Sequence, residues 1–365
     1  MKRSLFHCCL AVVVPAVALW SCSGQSEGES DVYDWTGKEA ELVSELLVPD
    51  SSLLGISGAY MHGEWLMTAL SRRADYEYTL FRLRGDSLVW QGNLARRGSG
   101  PGEVFQTSLQ LAPAEKAAYV VADNGSFSTN LYRIDLTGSA EQILDQRQWH
   151  RWDYPEESKM FTQLVIDTVT LLTSPDYESP DLAALYTRED ATRRAVGLAC
   201  PEPANKFDPM LLSMAYAGRW AKHPNEQRFV YMARYGGYVQ TCRLEGGRMT
   251  DLHVIYGDQP RFGVAADGIN VRYEDKSRYG YAAAVSDRYI YLLESGLTFG
   301  DLRAGRTDGE HRRIHVFTWA GEPVRMLKMD YPVRGAFSVT PDDRYLYFST
   351  VDLDRGEEQI RRAAL

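Results

Sequence analysis

One short phrase occurs six times along the chain. "DDRYLYFST" (342–350) is matched by "SDRYIYLLES" (286–295). Arg344-Tyr345-Leu346-Tyr347 is the clearest copy, and Arg288-Tyr289-Ile290-Tyr291 and Arg228-Phe229-Val230-Tyr231 follow it closely. Lys116-Ala117-Ala118-Tyr119 is looser, and Thr168-Val169-Thr170-Leu171 and Glu64-Trp65-Leu66-Met67 are the weakest. The copies begin at 64, 116, 168, 228, 288 and 344, so they stand 52 to 60 residues apart. A unit of this size cannot shield its own apolar faces, so copies must lean on one another.

Each unit has the same internal grammar. A strand of small and apolar residues comes first, as in "SLQLAP" (108–113), "YAAAVS" (281–286) and "GAFSVT" (335–340). A turn rich in Pro, Asp, Asn or Gly follows, then the repeated phrase with its strong β-formers. A third strand ("YTLFRLRGD", 78–86; "VQTCRLEGG", 239–247; "IHVFTWAGE", 314–322) ends mostly in a Gly or Asp turn. A fourth returns, as in "SLVWQGNL" (87–94), "EQILDQ" (141–146), "RMTDLHVIYG" (248–257) and "PVRMLKM" (323–329). Four antiparallel strands per unit, six units in all, describe an all-β, six-bladed β-propeller of four-stranded antiparallel blades. A β-sandwich also has many short strands, but it has no need of six copies of one phrase. "EEQIRRAAL" (357–365) reads as a third strand with no fourth after it. The unassigned "EAELVSELLV" (39–48) is therefore expected to close the ring as an N-terminal strand, hiding two sheet edges. A short amphipathic helix over 39–47 is the alternative.

The N-terminal residues have a different character. Lys2 and Arg3 precede an apolar run interrupted by Pro15 and ending in Leu19-Trp20-Ser21-Cys22. The run falls short of the roughly 20 residues needed to span a bilayer and reads as a secretory signal. Its last four residues resemble the lipobox of bacterial lipoproteins, which implies lipidation of Cys22. The expected organisation is a signal peptide over 1–21, a flexible tether over 22–37 and the propeller over 38–365. The acidic tether "SGQSEGESD" resembles the surface-export signal of Bacteroidetes lipoproteins. Loss of Lys2 and Arg3 with the signal takes the formal charge from −9 to −11. An acidic chain without a basic run argues against nucleic acid as a partner. Cys200 and Cys242 are a possible disulfide or two buried small hydrophobes, and two cysteines do not make a four-ligand zinc site.

"TPDDRYLYFST" looks like the Pro-Asp-centred repeat of TolB-type propellers, and "YVVADNGSFSTNLYRIDLTG" (119–138) looks like the NHL-type repeat. "RRGSGPGEV" (96–104) is similar to the Gly-x-Gly-Pro-Gly-Glu segment of TolB-like six-bladed propeller lipoproteins of Bacteroidetes. The resemblance covers most of residues 50–365; 198–210 ("LACPEPANKFDPM") is a long insertion outside it. It implies the fold and the cell envelope, and leaves the activity open, because propellers host enzymes, binders and scaffolds alike.

Candidate chemistry is sparse. Gly98, Gly100, Pro101, Gly102 and Glu103 could cradle a phosphate, but no Gly-Lys-Ser/Thr follows and the next segment reads as a strand. A tight connection between blades, with Glu103 capping backbone NH groups, is the better reading. His311 and His315 lie in a strand, about 13 Å apart, and read as exposed strand-end residues. His62, His150, His223 and His253 are scattered over four units. There is no Gly-x-Ser-x-Gly elbow, and Asp123-Asn124 reads as a turn before it reads as calcium ligands. No metal or cofactor is expected. Loop aromatics beside Arg and Asp are the candidate recognition surface: Trp149, Trp152, Tyr177, Trp220, Tyr235 and Tyr273. Loop aromatics folded back onto the rim are the competing reading. The expectation is a lipid-anchored binding or scaffold module at the outer membrane, for an envelope protein, peptide or glycan. The alternative is a propeller enzyme, a hydrolase or lyase, with an axial active site; a purely structural envelope subunit is the third possibility.

Overall fold

Each of the six repeats folds into an antiparallel blade, and an N-terminal strand joins the first and sixth blades into one continuous sheet. The computed structural model describes residues 33–50, 55–71, 74–100, 102–104, 106–123, 129–154, 162–173, 179, 181–201, 207–306, 311–352 and 354–365. Two strands precede the ring, β1 (Glu39–Leu42) and β2 (Ser44–Pro49). Blade 1 holds β3 (Ile56–His62), β4 (Trp65–Leu70), β5 (Tyr76–Arg84) and β6 (Ser87–Arg96). Blade 2 holds β7 (Gln106–Ala112), β8 (Ala117–Asp123), β9 (Thr129–Asp135) and β10 (His150–Tyr154), with the short helix α1 (Ala140–Leu144) before its last strand. Blade 3 is β11 (Thr162–Val165), β12 (Thr170–Thr173), β13 (Ala184–Thr187) and β14 (Thr192–Ala195). Helix α2 (Pro209–Ala215) leads into blade 4, which is β15 (Gly218–Lys222), β16 (Arg228–Ala233), β17 (Gly237–Glu245) and β18 (Arg248–Asp258). A small hairpin, β19 (Phe262–Val264) and β20 (Val271–Tyr273), separates it from blade 5. Blade 5 is β21 (Tyr281–Val285), β22 (Tyr289–Glu294), helix α3 (Phe299–Arg303), β23 (Arg313–Thr318) and β24 (Pro323–Met329). Blade 6 is β25 (Arg334–Val339), β26 (Tyr345–Val351) and β27 (Glu358–Ala364).

The fourth strand of blade 6 is β2, antiparallel to β27 with Leu47 opposite Ile360. Segment 39–48 therefore closes the ring as strand, not helix, and it does more than the sequence implied. The end of β2 runs parallel to β6, with Val48 opposite Ser87, and β1 adds a fifth strand to blade 5 beside β24. One N-terminal strap thus ties blades 5, 6 and 1. Arg361 locks it: buried against Tyr331 at 3.9 Å, it donates to Ser44 Oγ (2.7 Å), Ser44 O (2.8 Å) and Gln359 Oε1 (2.9 Å).

One expected strand is a helix. "EQILDQ" lies in α1 and the turn after it, and the outer strand of blade 2 is β10 instead. Ser139 and Gln142 form a reciprocal capping box, which starts a helix. Ile143 is buried, and Trp149 packs edge-on to Tyr132 at 5.9 Å.

The repeated phrase builds the blade cores. Tyr119, Tyr231, Tyr291 and Tyr347 are all buried, each on the second strand of its blade. Cys200 and Cys242 are free thiols in the blade 3–blade 4 core, and burial pushes both up to about 12.

Candidate functional site

The first strand of every blade faces the axis. β3, β7, β11, β15, β21 and β25 line a central channel of about 910 Å3. It is open along the inner strands, from Ser57 to His62 on β3 and from Thr107 to Ala112 on β7. Much of the wall is small: Gly218 and Ala221 of β15, Ala282 and Ala283 of β21, and Gly335 and Ala336 of β25. An inner strand has a free edge whose backbone groups need partners, and neighbouring blades supply some of them. Gln110 of β7 uses its side-chain amide as a second peptide group, donating to Val165 O and accepting from Val165 N, both at 2.8 Å. Ser349 and Ser338 of blade 6 accept from Gly58 N (2.8 Å) and Met61 N (2.9 Å) of β3.

At the end where β15, β21 and β25 begin, a side chamber of about 170 Å3 opens beside the channel. Arg219 and Arg234 line both spaces and are exposed there. Leu293, Ala282 and Tyr281 supply apolar wall, half-buried His311 also lines the chamber, and among the described residues no Asp or Glu does. Register brings the two arginines together. Arg219 lies opposite Met232 on the β15–β16 hairpin, and Arg234 N closes the same hairpin on Ala217 O at 2.9 Å. Arg234 O in turn accepts from Gly280 N at 2.8 Å, and Gly236 N donates to Arg278 O at 2.6 Å. Residue 280 must be glycine for this clasp, since a Cβ there would stand 2.2 Å from Ala233 O.

Several neighbouring arginines have acids. Arg278 meets Asp258 at 3.8 Å and Glu294 at 4.0 Å, Arg313 meets Glu294 at 3.3 Å, Arg303 meets Asp275 at 2.6 Å and Arg97 meets Glu77 at 2.8 Å. Among the described residues Arg219 and Arg234 have neither an ion pair nor a side-chain hydrogen bond; Arg234 lies 5.2 Å above the Tyr235 ring. At the opposite end of the channel stand His62 and Lys222. Burial, and then the Lys116 charge, hold His62 below its ordinary value; burial also lowers Lys222, against Glu115 and Asp167. Among the described residues no three His, Cys, Asp or Glu stand close enough to hold a metal ion.

The structure distributes the candidate aromatics unevenly. Tyr235 and Tyr273 are brought together, 4.3 Å apart, with Tyr279 and Phe299 at 5.8 and 5.6 Å from Tyr235. This cluster backs the channel mouth, although Tyr273 itself is 8% exposed and donates to Met214 O at 2.8 Å. Trp220 is on the inner strand β15, but it is 7% exposed and packs 5.0 Å from Tyr231. Trp149 is 6% exposed and donates from Nε1 to Ile143 O at 2.8 Å. Trp152 is half-buried on the outer strand β10, 4.4 Å from His150 and far in sequence from the mouth. Tyr177, Pro101, Asn124 and Cys22 lie outside the described residues. Glu103 Oε2 accepts from Gly100 N at 2.9 Å, and a Cβ on Gly98 (φ +152°) would collide with that carboxylate; Gly102 also has positive φ. His315 is a correction: it is buried, not exposed, 2.7 Å from the Tyr256 hydroxyl and covered by the Trp35 ring at 5.1 Å. Arg219 and Arg234 were missed. Their one sequence signal is an arginine inside a short inner strand ("GRWAK") and another ending its partner ("RFVYMAR").

A ring of six antiparallel blades around an open axis, with a polar mouth, defines a six-bladed β-propeller. The family model described as TolB-like 6-blade propeller-like matches residues 64–341, and the chain belongs to that family. No curated protein matches. Among solved structures, a DUF4221 family member from Bacteroides vulgatus aligns with a TM-score of 0.52 at 11% identity, covering 89% of this chain and 98% of that one. The propeller domain of Cps50 (Swd1) from Myceliophteria thermophila aligns with a TM-score of 0.42 at 10% identity, covering 87% and 99%. The dihydro-heme d1 dehydrogenase NirN aligns with a TM-score of 0.36 at 14% identity, covering 83% and 55%. At these identities the likeness is one of fold. Among the described residues no helix is long and apolar enough to cross a membrane.

Proposed function

We propose that this chain is a lipid-anchored, extracytoplasmic binding module that takes an envelope partner at the arginine-bearing mouth of its channel. The family is typically extracytoplasmic. The signal-like run ending at Cys22 supplies the anchor in this reading. The observation that carries it is the mouth: two exposed arginines without acid partners, held by a fixed backbone clasp beside an open channel, in a chain of net charge −9. Exposed, unpaired charge next to a concave space is what a binding site presents before its ligand arrives.

The test is comparative capture from envelope extract. The immobilised chain is expected to retain a partner that is lost from an Arg219→Glu, Arg234→Glu double variant and kept by Trp152→Ala. Equal capture by the double variant would place the partner elsewhere on the propeller. Turnover of a substrate panel without capture would favour the enzyme reading.

A further inference from the structure

The binding reading leaves the chemistry of the ligand open, and the mouth narrows it. We infer that Arg219 and Arg234 bind the free carboxylate of a peptide chain, whose residues extend from the mouth into the axial channel. This inference rests on the binding reading above and goes one step further.

Three observations point the same way. First, Arg219 and Arg234 both line the chamber and the channel, and no carboxylate among the described residues pairs with either, whereas neighbouring Arg278, Arg303 and Arg313 are each paired. An incoming oxyanion supplies the missing charge, and guanidinium geometry suits a carboxylate. Second, the side chamber beside the arginines is walled in part by Leu293 and Ala282, which gives a terminal apolar side chain a place next to the carboxylate. Third, the channel fits one extended chain. Spread over the roughly 20 Å that six strand residues span, its 910 Å3 gives a mean cross-section of about 45 Å2. Its walls are strand edges, and at Val165 such an edge already pairs with an amide, that of Gln110. A peptide backbone can make the same kind of contact by adding to an inner edge.

An acidic sugar also carries a carboxylate, but the structure favours it less. A sugar ring needs an open aromatic face. Here Trp220 is turned into the blade core, and the Tyr235 ring is covered by Tyr273 and Arg234.

The experiment uses the full chain in detergent micelles and three probes. These are a randomised pool of N-acetyl pentapeptides with free carboxylates, the same pool amidated at the C-terminus, and a glucuronate-terminated oligosaccharide. Retained material is quantified by mass spectrometry. The free-carboxylate pool is expected to be retained at least tenfold over the amidated pool. Arg219→Gln and Arg234→Gln should each reduce that retention about tenfold at an unchanged melting temperature. Equal retention of the two pools, no retention of either, or retention unaffected by the substitutions overturns the inference; preferential retention of the oligosaccharide overturns it in favour of a glycan. If the peptide arm fails while capture from envelope extract still depends on the mouth, the inference falls and the binding reading stands. If both fail, the binding reading falls as well.

Discussion

At the residue scale, the repeated phrase of blade 5 joins that blade to blade 6. Tyr291 of blade 5 donates to Asp343 Oδ1 at 2.9 Å, and Arg288 donates to Asp343 Oδ2 at 2.9 Å, so one phrase grips the Pro-Asp turn of the next copy. Asp343 itself sits at φ +55°, a left-handed position that Asp tolerates better than most residues. Replacing Asp343 by Ala should cost about 2–3 kcal/mol, since it strands the buried Tyr291 hydroxyl and strains the turn. Asp343→Asn should cost less; urea denaturation of both variants checks the order. His315 makes a pH-dependent contribution. Burial, reinforced by Arg313 and Arg278, lowers it to about 4, although Glu294 lies 3.8 Å away and pulls the other way. The unfolded chain, with a histidine near 6.5, therefore takes up a proton that the folded chain refuses. Stability is unaffected above about pH 6.5 and falls as pH drops toward 4, by on the order of 3 kcal/mol. His315→Gln should flatten this segment of the curve of urea midpoint against pH.

At the element scale, strands were legible where alternation and turn chemistry agreed, as in β16, β22 and β26. The exception in blade 2 is instructive. "EQILDQ" has the length and apolar content of a return strand, yet Ser139 and Gln142 cap a helix and override it. The strap was readable as a missing strand, but its reach into blades 5 and 1 was not, because parallel pairing with β24 and β6 leaves no mark on local sequence. Removing residues 36–48 should lower the melting temperature sharply, and Arg361→Ala alone should cost about 3 kcal/mol through three lost hydrogen bonds to a charged group. Thermal unfolding followed by circular dichroism reads both. An unchanged melting temperature after the deletion would contradict closure by the strap.

At the scale of the whole molecule, the fold was written in the sequence and the mouth was not. A propeller's period survives in the linear text, whereas the channel mouth is assembled from residues such as Arg219, Arg234, Gly280 and Leu293 that are joined only by folding. Aromatic content pointed instead to Trp149 and Trp220, which the blades use as core. The anchor is open to a direct check: Cys22→Ala should move the chain from the membrane fraction to the soluble fraction, and unchanged fractionation would count against lipidation. The account's central claim is that partners enter along the axis. Hydrogen exchange of the chain with and without its captured partner tests it most directly. Protection should appear in β15 and β21, at the channel mouth, with the outer strand β10 unchanged; protection confined to β10 and the other outer strands would contradict it.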